Sequence, residues 1–433
     1  MQCRCQQPES RNRDSHATSG PFMSDEIVNV PASLCLVGTA PMRWRAVVCH
    51  RTMWEPFRQS NRCALAGWTA ERTHLMSVEL TAFNVPRSSM TKTGCRWNGL
   101  LFAVPLLLAT VAVAPSAQAG DSRFSVIEEN DSILFDSDRY YTQGLQLNYL
   151  GPSVASTSAW ASPFDFLSDH IGVFPSGDHV DRRYELLFGQ QIYTPSNIHR
   201  NHPDTDDRPY AGWLYGGIGL LQDTDRRQLD HLELDIGIIG PASYANQVQN
   251  DWHQFIGVQT AKGWNNQINN EPGLMLSYEH KWRFLQGFGD GYAVDAIPEV
   301  GGTVGNVMTY GEISTMFRIG RNLEVDYGPE RMRPTLSGTN YFNNDALDGP
   351  FGFYFYAGAQ GRAVARNIFL DGNTFEDSSS VDKKIFVGDL VGGLSLFWSN
   401  DVKFDTTVIY RTKEFNGQKD NEKYAGFNLT FGL

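Results

Sequence analysis

Apolar and polar residues alternate along most of the chain after residue 120. Residues 231–238 read HLELDIGI, and the last seven residues, 427–433, read FNLTFGL. A period of two residues is that of a β-strand with one apolar face and one polar, small or charged face. We therefore expect strands, and not long helices, to dominate this part of the chain.

About twelve stretches carry this pattern, and most are 8 to 14 residues long. That is longer than the five or six residues usual in soluble sheets and close to what a tilted transmembrane strand requires. The twelve candidate strands are 122–129, 142–150, 184–192, 212–222, 228–239, 273–283, 293–304, 308–320, 351–364, 384–398, 401–413 and 421–433. An even strand number and a last strand at the C-terminus predict an all-β fold, a transmembrane antiparallel β-barrel of about 12 strands of the outer-membrane type.

Composition divides the chain near residue 120. All six cysteines lie in the first 95 residues. Residues 1–119 hold 12 Lys and Arg against 7 Asp and Glu, and residues 120–433 hold 24 against 41, so the two parts carry +5 and −17 and sum to −12. The strand pattern and the acidic excess thus belong to the same, cysteine-free part.

The segment that joins the two parts resembles an export signal. Lys92 and Arg96 precede an apolar run at 100–113, and residues 117–119 read AQA, a small-x-small cleavage site. A membrane anchor is the alternative, but the run is shorter than the roughly 20 residues that a spanning helix needs. We therefore predict a signal peptide at 90–119.

The signal peptide sets the expected organisation of the chain. Export signals act from the start of a chain, so we interpret residues 1–89 as a gene-model extension or a disordered segment. Residues 120–433 are expected to form the barrel.

Four polar clusters fall at connections that parity places at the outer rim. An exported barrel begins in the periplasm, so every connection from an odd to an even strand lies outside. The clusters are EEND with YYTQG (128–131 and 140–144), IYTPSNIHRNHPDTDDRPYAGW (192–213), GPASYANQVQNDWHQFIG (240–257) and KGWNNQINNEPG (262–273). Their concentration in one half of the barrel indicates a site at that rim.

One of these clusters departs from the period of two. Between residues 243 and 257 the apolar residues recur at helical spacing, and Asn246, Asn250 and His253 form a polar stripe. We expect a short helix against the rim that points His253 in one direction. A histidine that serves only packing or a loop is the alternative.

The first cluster is rich in oxygen ligands. The side chains of Asn130 and Asp131 suit a hard cation such as Ca²⁺, which takes six to eight oxygen ligands, although an acidic turn with an Asx motif is also possible. A cation that polarises an ester carbonyl and a histidine, His253, that takes a proton from water would suffice for hydrolysis. No Gly-x-Ser-x-Gly elbow occurs after residue 120, which disfavours a serine nucleophile.

Several ordered motifs make the chain similar to a known family. They are E-N-D (129–131), D-R-Y-Y-T-x-G (138–144), Y-T-P (193–195), D-R-P-Y-A-G-W (207–213), I-G-P (239–241), Q-N-x-x-H (249–253) and G-W-x-N-Q with E-P-G (263–267 and 271–273). With them the chain resembles the outer-membrane lipid A 3′-O-deacylase family, the LpxR-like proteins. The resemblance spans nearly all of residues 124–433.

The resemblance implies a twelve-stranded barrel with a calcium-dependent active site near the outer rim and a phospholipase A2-like mechanism. It assigns the general base to His253, and it places Asn130 and Asp131 in the site, with Asp131 the best Ca²⁺ ligand. Thr142 corresponds to a small hydroxyl residue of the site, and we expect it to face the lumen with Gly144.

Two further positions follow from the resemblance. Arg200 matches a basic residue that would contact a substrate phosphate. Gln259 stands where characterised members of the family carry a glutamate, and its carbonyl oxygen would bring no charge to a cation.

The expected function is that of a Ca²⁺-dependent esterase in the outer membrane of a Gram-negative cell, which removes a 3′-O-linked acyloxyacyl chain from the lipid A of lipopolysaccharide. The expected partners are lipopolysaccharide and the outer membrane, with no nucleic acid, and the chain is expected to be a monomer. Two alternatives remain: a non-catalytic barrel, such as a porin or an adhesion or binding protein, and an outer-membrane phospholipase.

Overall fold

The computed structural model describes two separate parts of the chain. In the first, only the backbone of two short strands is described, Cys35–Thr39 and Arg43–Val47, which pair antiparallel. In the second, residues 122–135 and 137–433 are described. The predicted signal peptide at 90–119 lies outside the described residues, and so does most of the segment 1–89.

The second part is built from twelve strands. They are β1 (Arg123–Asn130), β2 (Tyr140–Leu150), β3 (Val180–Thr194), β4 (Ala211–Thr224), β5 (Gln228–Ile239), β6 (Glu271–Trp282, continued by Phe284–Gly289), β7 (Tyr292–Gly305), β8 (Met308–Arg321), β9 (Phe351–Asn367), β10 (Phe386–Trp398), β11 (Val402–Arg411) and β12 (Glu422–Gly432). Each of the twelve stretches predicted from the period of two overlaps one of these strands.

Short helices occupy the connections. The α-helices are α1 (Ser132–Phe135), α2 (Ser162–Ile171), α3 (Ala245–Ile256) and α4 (Ile368–Asp371). Single 3₁₀ turns lie at Ala159–Ala161, Pro241–Ser243, Trp264–Asn266, Leu323–Val325 and Asn344–Ala346. No helix in the described part of the chain is long and apolar enough to cross a membrane.

The sheet closes on itself. Every strand pairs antiparallel with the next along the chain, and β12 pairs with β1, from Ala425 opposite Asn130 to Gly432 opposite Arg123. A closed sheet has no free edge, so the backbone groups along the paired stretches of every strand have partners within the sheet. The predicted antiparallel barrel of twelve strands is confirmed.

The two faces of the barrel differ in polarity. Along β8, Ile313 and Phe317 are exposed on the outer face, whereas Glu312, Ser314 and Arg318 are buried on the face toward the lumen. The apolar face therefore meets lipid, as in other barrels of the outer membrane.

The two ends of the barrel carry different long connections. The connections β1–β2, β3–β4 and β5–β6 meet at one end, which we call the cleft end. The β8–β9 connection, residues 322–350, leaves the opposite end, which we call the plug end. Most residues from 323 to 343 are buried, so this connection, the plug loop, folds back into the lumen.

Charge pairing holds the plug loop in place. Arg331 Nε donates to Glu129 of β1 at 2.7 Å, and Arg333 Nε donates to Glu233 of β5 at 2.9 Å. The Nζ of Lys281 on β6 donates to the Ser337 carbonyl at 2.8 Å. Breaking a buried pair of this kind costs roughly 3–5 kcal/mol, because it leaves an uncompensated charge.

Backbone carbonyls of the plug loop also accept from strand arginines. The Pro334 carbonyl accepts from Arg362 at 2.9 Å and from Arg411 at 2.7 Å. A cavity in the lumen beside Arg331 and Arg333 measures about 20 Å³, room for about one water molecule. The lumen is thus a packed, ion-paired interior.

A filled lumen predicts that the protein conducts no ions. We expect the purified barrel to show no steady current in a planar bilayer, and replacement of residues 323–347 by a short Gly-Ser linker to open a pore. Deletion of α2, which lies outside the lumen, is the matched control and should leave the barrel closed. A steady current through the unaltered protein would contradict the plug.

Candidate active site

A cleft of about 1060 Å³ opens between α3 and the outer wall of the barrel at the cleft end. Helix α3 lies on this wall because Ala245 packs with Ile192 of β3 and with Tyr210 and Trp264. The side chain of Gln190, which also faces outward from β3, donates to the Ser243 carbonyl at 2.5 Å. The cleft therefore lies on the membrane side of the barrel and not in the lumen.

Glycines set both ends of this helical segment. Gly240 has a φ of 88°, and a Cβ there would lie 2.5 Å from the Asn269 carbonyl oxygen. Gly257 ends α3 with a φ of 76°, the left-handed conformation usual after a helix. The chain can thus leave β5 sharply, run along the wall as α3 and turn back toward the cleft.

His253 is buried on the side of α3 that faces the wall and lines the cleft. Its Nδ1 lies 2.9 Å from the Gln259 carbonyl oxygen, and its Nε2 lies 3.1 Å from Asp138 Oδ2. A carbonyl oxygen can only accept, so Nδ1 carries a proton. The ring orientation is therefore fixed from both sides.

Asp138 links His253 to the rest of the site. Gln249, one helical turn before His253, donates to Asp138 Oδ1 at 2.9 Å and accepts from Trp264 Nε1 at 2.7 Å. Asp138 lies in the β1–β2 connection, more than a hundred residues from α3. The chain Trp264–Gln249–Asp138–His253 therefore joins the β1–β2 and β5–β6 connections of the cleft end in one network.

This network favours the protonated form of the histidine. The hydrogen bond that His253 donates to Asp138 is the main cause that raises the pKa of His253 above its ordinary value, against a smaller opposing effect of burial. Because both ring nitrogens face oxygen atoms, the imidazolium satisfies them best. Deprotonation, which a general base requires, thus occurs at a higher pH than for a free histidine.

Asp131 is buried at the end of β1 and also lines the cleft. Its Oδ2 accepts from Ser137 Oγ and from the Arg139 backbone N–H, both at 2.7 Å. Among the described residues its Oδ1 has no hydrogen-bond partner. Burial raises the pKa of this carboxyl well above its usual range.

A buried carboxylate oxygen without a partner fits a bound cation. Asp138, the other carboxylate near it, also lines the cleft, and carboxylate oxygens suit Ca²⁺. The lining includes no cysteine, and His253 is held by Gln259 and Asp138, so the donor set does not resemble a zinc site. The residues present therefore fit the expected Ca²⁺, with Asp131 as the central ligand.

Asn130 also lines the cleft, but its side-chain oxygen is occupied. It accepts from the Ser132 backbone N–H at 2.8 Å and from Ser132 Oγ at 2.6 Å, which is an Asx turn. Asn130 thus shapes the turn that presents Asp131.

Thr142 faces the cleft and not the lumen. The pairing of β2 with β3 shifts between Tyr141 and Gln143, so a β-bulge lies at Thr142. Tyr141 packs inside the barrel over Gly144, while the Thr142 hydroxyl lies 2.7 Å from that of Thr194. The expectation that Thr142 faces inward with Gly144 was wrong, because a bulge adds one residue and reverses the alternation.

Gln259 and Arg200 have different positions relative to the cleft. Gln259 lines it, and its backbone carbonyl holds His253. Arg200 forms an ion pair with Asp204, its side chain is 53% exposed, and it is not among the residues that line the cleft. The structure thus brings His253, Asn130, Asp131, Thr142 and Gln259 together and leaves Arg200 outside the group.

Two features of α3 differ from the sequence prediction. A short helix is present, but His253 shares its buried face with Ala245 and Gln249 and not with Asn246 and Asn250. Asn250 instead fixes the returning loop, since its Oδ1 accepts from the Ala261 backbone N–H at 2.7 Å. The spacing of four residues between Gln249 and His253 was the available signal.

Comparison with known protein families gives a match that spans the whole barrel. The family model described as outer membrane protein LpxR matches residues 100–433. The chain belongs to the LpxR family.

Two solved structures are similar to this chain to different degrees. LpxR from Salmonella typhimurium is 22% identical with a TM-score of 0.57, over 72% of this chain and 100% of that chain. The β domain of the Bordetella autotransporter BrkA is 12% identical with a TM-score of 0.38, over 73% of this chain and 100% of that chain. No curated protein matches the sequence.

Membership in the LpxR family has two consequences. The chain is a protein of the outer membrane, and it is an enzyme that modifies lipid A. At 22% identity the Salmonella structure itself supports the fold and not the role of any residue.

We predict that Asp138→Asn lowers the pKa of His253 toward its ordinary value. With His253 as the expected general base, the rate should rise with pH as His253 loses its proton, and the variant should reach this rise at a lower pH. The pH dependence of lipid A modification measures the shift. Asp251→Asn, the same change on α3, is the control and should leave the profile in place.

We also predict that cation binding depends on Asp131. Tb³⁺ luminescence sensitised by Trp252, which lines the cleft, reports binding, and Ca²⁺ should displace the lanthanide. Asp131→Asn should abolish the signal, and it should also fall as the pH drops below the raised pKa of Asp131, because a protonated carboxyl binds no cation.

Gln259→Glu is expected to tighten cation binding. An added carboxylate should increase the affinity by about tenfold, since the number of charged ligands tunes Ca²⁺ sites over several decades. Gln254→Glu on α3, which does not line the cleft, is the control. Equal gains in both variants would show that the effect is only one of general charge.

Proposed function

We propose that this enzyme is a Ca²⁺-dependent esterase that hydrolyses a 3′-O-linked acyloxyacyl chain from the lipid A of lipopolysaccharide. The observation that carries the proposal is the paired His253 and Asp138, held in a cleft on the membrane side of the barrel wall. A base at this place can reach an ester only if the ester belongs to a lipid at the rim.

The surroundings of the cleft suit such a lipid. Phe255 at the end of α3 is 80% exposed, and Trp252, Ile256 and Val258 are also exposed large apolar residues. Aromatic and aliphatic side chains at a membrane interface favour contact with acyl chains. We propose that the cleft end faces the outer leaflet, where lipopolysaccharide resides.

His253 would act as the general base through Nε2. The Gln259 carbonyl keeps the proton on Nδ1, so the lone pair of the neutral ring lies on Nε2. The carboxylate of Asp138 must rotate away from His253 Nε2 before a water molecule can bind to that nitrogen. The water then gives its proton to Nε2 as its oxygen forms a bond to the ester carbonyl carbon.

The same histidine would complete the reaction. The C–O bond to the sugar breaks, and the imidazolium returns the proton to the leaving sugar oxygen, so the ring ends neutral. The Gln259 carbonyl would hold the Nδ1–H of the transient imidazolium, and the nearby negative charge of Asp138 would stabilise it. Asp131 would hold Ca²⁺, which when bound supplies positive charge that polarises the ester carbonyl.

The filled lumen disfavours the alternative of a porin. The plug loop is anchored by Glu129, Glu233 and Lys281 and leaves almost no open volume. A phospholipase would use the same groups on a different ester, so the substrate must be tested directly.

We expect His253→Gln to lower the rate of deacylation by about a hundredfold or more, the usual contribution of a general base. Mass spectrometry of lipid A from cells that express the chain should show loss of a primary acyl chain with its secondary substituent, and cells with the variant should keep it. His170→Gln, on the exposed helix α2, is the control.

An assay of the purified protein distinguishes the remaining candidate functions. It is incubated with lipid A and, separately, with glycerophospholipid, each with Ca²⁺ and then with a chelator. Release of fatty acid from phospholipid alone would reject the proposal, and so would unchanged deacylation of lipid A by the His253→Gln variant.

A further inference from the structure

An apolar groove of about 990 Å³ lies on the membrane-facing wall, across strands β8 to β10. Ile313 of β8 and Phe386 of β10 form its sides and are 69% and 77% exposed. Gly311 and Gly361 face outward between them, and no atom lies within 4 Å of the place of a Cβ at either position. The groove is therefore an open depression in the lipid-facing surface.

Two lysines stand where the groove reaches the cleft end. Lys384 precedes β10 and Lys413 follows β11, and both line the groove. The two segments are joined, since the Lys384 backbone N–H donates to the Glu414 carbonyl at 2.7 Å. The ammonium of Lys384 donates to Asn416 Oδ1 at 3.1 Å, a neutral partner, so its charge stays uncompensated by that contact.

Lysine is concentrated at this part of the rim. Residues 120–433 contain eight lysines and carry a net charge of −17. Five of the eight lie in the connections β9–β10 and β11–β12 or at the start of β12: Lys383, Lys384, Lys413, Lys419 and Lys423. Two of the others, Lys281 and Lys403, are buried in the lumen. An acidic protein thus presents most of its accessible lysines on one side of the rim, and two of them, Lys384 and Lys413, line this groove.

The depth of the groove matches one leaflet. Ile313 is the fifth residue after Met308, where β8 begins. At a rise of about 3.4 Å per residue and a strand tilt of roughly 40°, it lies about 13 Å below the rim. That is less than half of the roughly 30 Å hydrocarbon core, so the groove lies at the level of the acyl chains of the leaflet at the cleft end.

We infer that this groove docks a molecule of lipopolysaccharide, with an acyl chain along Gly361 and a lipid A phosphate at Lys384 and Lys413. The inference rests on charge complementarity with a phosphate and on continuity of the groove with the lipid-facing wall. It shares with the proposed function the orientation of the barrel, but it uses none of the residues of the cleft. It assigns the wall a second contact with the same class of lipid.

Photo-crosslinking in cells tests this docking site. Benzoylphenylalanine placed at Ile313 should give an adduct that an antibody against lipopolysaccharide detects after irradiation. The matched position is Leu276, which is exposed on the outer face of β6 outside the groove and, as the fifth residue after Glu271, lies at the same depth. We expect a strong adduct from position 313 and little from 276.

The lysines supply the decisive variants. Lys384→Ala and Lys413→Ala should each reduce the adduct about fivefold, the effect of one basic side chain at an anionic membrane surface. Lys383→Ala is the control, because Lys383 is one residue away, forms an ion pair with Asp371 at 3.0 Å and does not line the groove.

A second pair of variants tests the acyl chain. Gly361→Leu fills open space, so the barrel should fold and the adduct should fall at least tenfold. Ala357→Leu, also exposed on the outer face of β9 but outside the groove, should keep the adduct. Heat-dependent mobility of the folded barrel in gels confirms folding for every variant.

Three results would overturn the inference: equal adducts from positions 313 and 276, an adduct that the Lys384→Ala and Lys413→Ala changes leave unaltered, or an adduct with phospholipid in place of lipopolysaccharide. The His253→Gln variant separates the two proposals, since it should lose deacylation and keep the groove adduct, whereas the lysine variants should lose the adduct and keep deacylation. If only the docking site is correct, the lysine variants still lose the adduct and His253→Gln leaves the lipid A unchanged from that of the unaltered protein.

Discussion

The pairing of charges inside the barrel is the constraint on which the rest of the structure depends. The inner faces of the strands carry Glu129, Glu233, Lys281 and Arg411, which a closed sheet places away from bulk water. Such groups are costly unless each is paired and hydrogen-bonded. The plug loop supplies the missing partners through Arg331, Arg333 and the carbonyls of Pro334 and Ser337, so closing the lumen and satisfying the charges are one event.

Because the lumen is occupied, the proposed chemistry would take place on the outer wall. The bulge at Thr142 and the outward-facing side chains of Gln190 and Ile192 let α3 attach to that wall, and the turn at Asn130 presents Asp131 beside it. Each of these devices acts at the end of a strand, where a rigid sheet holds mobile connections in place. The sheet below the site is therefore rigid, and the connections above it can change conformation.

The sequence predicted the barrel because alternation repeats along every strand, and one face of each strand is buried by lipid and the other by the lumen. It predicted a helix near His253 but not its neighbours, since the face of α3 that is buried depends on contacts with Ile192 and Trp264, far along the chain. From the sequence alone Asp138 resembles a solvated loop residue, because its partner His253 lies far along the chain. The plug loop was not foreseen, because its many polar residues resemble a surface loop until their partners on the strands are known.

The position of the cleft also has an energetic advantage for a lipid with several acyl chains. Moving a chain out of the membrane costs roughly 0.8 kcal/mol for each CH₂ group, so extraction of one chain of about twelve carbons into a polar lumen would cost on the order of 10 kcal/mol. A lipid that diffuses laterally to His253 keeps its chains in the leaflet or against Trp252 and Phe255. Only the ester and its nearby sugar need to leave their ordinary surroundings. A site on the wall thus requires far less work than a site within the barrel, and it leaves the sealed, ion-paired interior intact during each turnover.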